Sequence, residues 1–140
     1  MKNILKFMSF LFIAFVFFMG CNKENEDKQD YRTKYSGSYD FITVKKIFNM
    51  LDSSYVSDTV SYFGQIYYSD TLESNKMVIH YLTDKSVIVI VDEQGIISSD
   101  GNNLNGEFKS ENEVYFYYSW GGHGGGGSHE VNGFKNSINN

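Results

Sequence analysis

The sequence predicts an all-β domain, a single antiparallel meander of about eight strands forming a small barrel or sandwich. Three observations predict it. From Tyr35 to Lys135 the apolar, aromatic and β-branched residues recur with period two. Proline is absent, so no run contains a residue unable to donate to a sheet ladder. Between the runs lie Asp92-Glu93-Gln94-Gly95, Asp100-Gly101-Asn102 and Ser110-Glu111-Asn112, clusters of residues that tolerate tight or left-handed backbone.

The chain starts differently. Lys2 and Lys6 precede a mostly apolar run from Phe7 to Met19, long enough for a translocation signal and too short to span a bilayer as a stable helix. Residues 1–20 are therefore read as a signal peptide. Phe18-Met19-Gly20-Cys21 then places a small residue before the only cysteine, at the junction of apolar and polar composition. These residues resemble the lipobox of small Gram-negative bacterial lipoproteins. The resemblance implies cleavage after Gly20, lipidation of Cys21 with acyl chains such as palmitate, and lipid anchoring in the outer membrane. Asn22 stands where inner-membrane retention in enteric bacteria uses Asp. Whether the domain is surface-exposed or periplasmic stays open.

Loss of Lys2 and Lys6 with the signal takes the net charge from −5 to −7. An acidic chain lacks the clustered cations that nucleic acid or an anionic membrane would require, so neither is an expected partner through a basic face. Residues 21–34 form the acylated cysteine and a disordered, charged tether without apolar periodicity. Glu24, Glu26 and Asp27 fit either a surface-export signal or a merely soluble linker. With the thiol committed to lipid, no cysteine remains for a disulfide, and the domain must rest on its core.

The β domain covers residues 35–136, with a tail at 137–140. Strands are expected at Ser38–Lys46, Thr59–Ser69, Lys76–Leu82, Ser86–Val91, Ile96–Ser98, Leu104–Ser110, Glu113–Trp120 and His129–Lys135. Val44, Ile47, Phe48 and Leu51 also fit one face of a helix, but Tyr39, Phe41 and Thr43 alternate on the way in, which favours a strand ending near Ile47. Gly37, Gly64, Gly106 and Gly133 sit inside strands beside aromatic residues, as expected where a barrel bends or a ring covers the backbone. Gly37-Ser38-Tyr39, the glycine-aromatic strands and Val131-Asn132-Gly133 resemble the lipocalin-like β domains of uncharacterised lipoproteins. That resemblance implies a short barrel and, as an alternative function, carriage or sensing of a small apolar ligand.

Candidate chemistry is sparse. Trp120 to His129 contains six glycines and reads as a mobile loop joining the last two strands. Its glycines satisfy G-x-G-x-x-G only trivially, since no helix follows to hold a pyrophosphate. His123 and His129 flank it as weak metal candidates, with Glu130 nearby, but a glycine loop preorganises no geometry and the simpler reading is two solvated histidines. His80, inside a strand pattern between Ile79 and Tyr81, fits a surface or hydrogen-bonded histidine better than a base. No nucleophile elbow, H-E-x-x-H or P-loop occurs, so no catalytic residue, cofactor or metal is expected and the chain is read as a non-enzyme.

The aromatic residues are the remaining signal. Alternation puts Val114, Phe116, Tyr118 and Trp120 on one face of a strand and Tyr115 and Tyr117 on the other; Phe63 and Tyr67 similarly oppose Tyr62 and Ile66. Outward tyrosines are ordinary cross-strand pairs or, with Tyr115, Tyr117, Tyr67 and Trp120 together, a surface for a glycan, peptide or envelope protein. The anchor carries the first test. Cys21→Ser should move the protein from the membrane to the soluble fraction on ultracentrifugation, and full retention on the membrane would overturn the lipidation reading.

Overall fold

A computed structural model describes residues 30–51, 53–68, 72–101, 103–122 and 125–136. Cys21, His123 and the 137–140 tail lie outside the described residues. Eight strands follow in order: β1 (Gly37–Asn49), β2 (Ser54–Tyr67), β3 (Lys76–Leu82), β4 (Lys85–Val91), β5 (Ile96–Ser98), β6 (Asn103–Ser110), β7 (Glu113–Gly122) and β8 (Gly125–Lys135). Each pairs antiparallel with its sequence neighbour, and β8 returns to β1, so the meander closes into a barrel.

Closure buries one residue in two. Tyr39, Phe41 and Thr43 of β1 point inward, as do Met77, Ile79 and Tyr81 of β3, Val89 and Val91 of β4, and Val114 and Phe116 of β7, all with no exposed surface. Gly133 allows this filling. A Cβ there would come 2.5 Å from the Phe41 ring and 2.7 Å from Val114, so the ring lies over bare backbone.

One end of the barrel is plugged by a 3₁₀ turn at Tyr31–Tyr35. Tyr35 stacks on Phe108 with centroids 4.1 Å apart, and its carbonyl accepts from the Tyr39 hydroxyl at 2.9 Å. Tyr31 donates to the Val91 carbonyl at 2.6 Å. Arg32 is buried, pairs with Asp30, and donates through Nη1 to the carbonyls of Glu73 and Lys76 at 3.1 and 2.9 Å. Tyr68 lies under its guanidinium at 4.4 Å. The tether expected through Lys34 therefore stops short: Asp30–Lys34 belong to the folded unit, because Arg32 donates to the carbonyls of Glu73 in the β2–β3 connection and of Lys76 at the start of β3.

Two further boundaries differ from expectation. β1 continues to Asn49 and β2 begins at Ser54, since pairing along both edges of β1 overrides the helical spacing of Val44, Ile47, Phe48 and Leu51. The glycine run is not simply a loop: Trp120–Gly122 and Gly125–Ser128 pair in register as the ends of β7 and β8.

Arg32→Ala removes the donors from two carbonyls and from the Asp30 carboxylate. It should lower unfolding free energy by on the order of 2–3 kcal/mol in urea titrations while leaving the β-type circular dichroism intact.

Candidate functional site

The strands are unequal, and their excess length makes the site. β3 pairs with β2 only along Gln65–Tyr67, and β6 reaches β7 only as far as Ser119. Beyond those points β2, β1, β8 and β7 project as a four-stranded paddle ending in the β1–β2 and β7–β8 tips. Its register sets residues abreast in rows. Tyr55, Phe48, Gly126 and Gly121 form one row; Val56, Ile47, Gly127 and Trp120 the next inward; Ser57, Lys46, Ser128 and Ser119 the third; and Asp58, Lys45, His129 and Tyr118 the fourth.

Alternation divides the paddle into two faces. On the face continuous with the barrel exterior, Phe48 and Tyr55 lie with ring centroids 5.1 Å apart. With Lys46, Met50, Tyr117 and the glycine backbone they border an open groove of about 600 Å³. On the face continuous with the interior, Trp120 lies over Gly127, where a Cβ would come 2.7 Å from Cζ2. A side chain at Gly127 would lift the indole away. Trp120 also meets the His129 ring edge-on at 4.8 Å and Tyr118 at 5.5 Å.

His129 closes the base of this face. It is 5% exposed, and its Nδ1 lies 2.8 Å from the Tyr81 hydroxyl. Burial holds the imidazole below its ordinary pKa, reinforced by the positive charges of Lys45 and Lys85. Burial likewise raises the Tyr81 phenol, with a smaller contribution from Tyr118. Both groups are thus neutral at pH 7 and share one hydrogen bond, whose direction follows the imidazole tautomer. This replaces the expectation of a solvated His129: the strand register carries it under Trp120.

The surface residues named from sequence do not assemble as a set. Tyr117 and Trp120 both border the groove, at 38% and 40% exposure. Tyr115 is half-buried on the outer face, its phenol raised first by burial and then by Glu130, with the Lys109 ammonium 5.4 Å from its ring. Tyr67 stands apart. It lies eight residues along β2 from the row that holds Tyr117, roughly 25 Å away. His80 is half-buried, its ring tilted against Tyr62 at 5.4 Å. Among the described residues no group of three His, Cys, Asp or Glu side chains could hold a metal. Phe48, Met50 and Tyr55 were missed; Tyr55 and Val56 followed by Thr59 and Val60 were the signal that β2 starts early.

The fold and paddle define a class: a filled, closed eight-stranded antiparallel barrel with an extended aromatic sheet at one end. Comparison with protein-family profiles, curated proteins and solved structures finds no match to this chain.

The His129 environment has a pH signature. The unfolded imidazole titrates near 6.5, whereas the folded one resists the proton, so the unfolded state gains stability as pH falls below that value. Urea midpoints should therefore decline from pH 6.5 towards 5. His129→Gln, which keeps an acceptor for Tyr81 without titrating, should flatten the decline, and an unchanged slope would count against the buried neutral imidazole.

Proposed function

We propose that this protein is a lipid-anchored, non-catalytic binding or structural module of the Gram-negative outer membrane, held by lipid on Cys21 and acting through the paddle. The observation that carries this reading is the contrast between interior and tip. Tyr39, Phe41, Tyr81 and Phe116 fill the barrel, while Tyr55, Val56, Ile47 and Trp120 stand exposed on the paddle. Monomeric proteins seldom leave so contiguous an apolar surface unless something meets it.

The carrier alternative needs an enclosed apolar space within the barrel, which those four rings occupy. An enzymatic reading needs a titratable group free to exchange protons. His129 instead engages Tyr81 and is held neutral beneath the indole. Lipid anchoring is supported by the lipobox resemblance at Gly20-Cys21 and by the charged segment that follows.

Separation of membranes on a sucrose gradient should place the protein in the dense outer-membrane fraction. Solvent extraction of the purified protein, followed by mass spectrometry, should release no apolar molecule in stoichiometric amount. Recovery of one would establish the carrier instead.

A further inference from the structure

We propose that the tip of the paddle seats in the interfacial layer of a lipid bilayer, giving the protein a second membrane contact besides its acyl anchor; the inference rests on the lipoprotein reading above. Among the described residues thirteen large apolar side chains are exposed, and six of them, Ile47, Met50, Leu51, Tyr55, Val56 and Trp120, lie on the outermost part of this one element. Their arrangement identifies the occupant.

The order along the strands follows depth. Met50 and Leu51 form the outermost turn, at 53% and 97% exposure. The rows containing Phe48 with Tyr55 and Ile47 with Trp120 come next, and neither holds a charged residue. Between turn and rings, Asn49 uses its side-chain oxygen to accept the Leu51 N–H at 3.1 Å. Lysines enter only behind the rings, as Lys46 and then Lys45. From the turn to the Trp120 row is about 10–13 Å of strand, which tilt reduces to the 5–10 Å depth of interfacial elements. Apolar tip, aromatic belt and lysines at the headgroup level are the sequence of environments a bilayer surface presents.

Both faces of the tip carry apolar side chains: Phe48 and Tyr55 on one, Ile47, Val56 and Trp120 on the other. A glycan or protein docked in the groove would cover Phe48 and Tyr55 and leave Ile47 and Val56 on the other face in water. A lipid surface surrounds a wedge on both sides. The depth is limited by the backbone. Beyond Gln65 the outer edge of β2 pairs with no strand among the described residues, and such an edge suits the hydrated headgroup layer better than the hydrocarbon. Asp58 lies abreast of Lys45, so the contact is not strongly basic and suits a zwitterionic surface.

The lipid and the tip can reach the same leaflet. Nine residues from Cys21 to Asp30 extend to about 30 Å. A 13-residue β1 at barrel tilt stands roughly 33 Å tall, of which some is seated in lipid.

Trp120 is the only tryptophan and reports the contact directly. The full-length lipidated protein is reconstituted into vesicles of phosphatidylethanolamine and phosphatidylcholine, with and without bromine at acyl carbons close to the carbonyls. Trp120 emission should shift to the blue and be quenched by the brominated lipid, with little dependence on salt. Leu51→Asp and Met50→Ser, both at exposed turn positions, should abolish the quenching while thermal unfolding stays unchanged. Flotation of the same vesicles reads the anchor separately. Floating protein whose Trp120 is quenched only by aqueous acrylamide overturns the tip contact and leaves the anchor standing. Protein that fails to float but shows lipid quenching removes the anchor and keeps the tip. Quenching that survives Leu51→Asp, or a Trp120 response to soluble envelope polysaccharide and not to lipid, would overturn the proposal.

Discussion

Strand β1 is hydrogen-bonded along both edges from Tyr39 to Phe48, to β2 on one side and to β8 on the other, and the rest of the molecule depends on this double pairing. It joins the two ends of the meander, so the barrel has no open side at β1 or β8. It also outlasts the barrel. Because β1 and its two partners continue past the last rung of β3 and β6, the same ladder that closes the core supports the paddle beyond it. A four-stranded extension held from within the barrel is stiffer than two hairpin loops of the same length would be.

The junction between barrel and paddle is where packing changes character. Below it, the inward positions are filled chiefly by rings and aliphatic side chains, with Met77 and Thr43 among them. Above it, the inward face continues as Lys45, Ile47 and Trp120 with no opposite wall. His129 and Tyr81 occupy the changeover. Their mutual hydrogen bond satisfies two polar groups that would otherwise be costly to bury, and their edge-on contacts with Phe116 and Trp120 connect core to tip. At the other end Arg32 plays a comparable part, ending open carbonyls with a guanidinium and tying the first residues of the fold to the β2–β3 connection.

The strands were legible wherever one face is buried and the other wet. Lys76–Leu82 and Ile96–Ser98 coincide with expectation residue for residue, and β4, β6 and the start of β7 agree within one. Agreement fails in the paddle. In its outer two rows both faces are apolar or glycine, alternation vanishes, and Val44 to Leu51 satisfies a helical period as well as a strand. The glycine run failed for a related reason: glycine has no intrinsic strand preference, and only the neighbours Trp120 and Lys46, both closing on Gly127, make a strand of it.

The order of residues alone determined the all-β class, the meander, most strand positions and the motif at Cys21, because alternation, turn chemistry and short peptide signals are local. Tertiary structure decided closure into a barrel over a sandwich, the burial of His129 and Arg32, the separation of Tyr67 from Tyr117, and the existence of the paddle. Each of these depends on which segments, far apart in the chain, come to lie side by side. That is a property of pairing between distant segments, and no single segment encodes it.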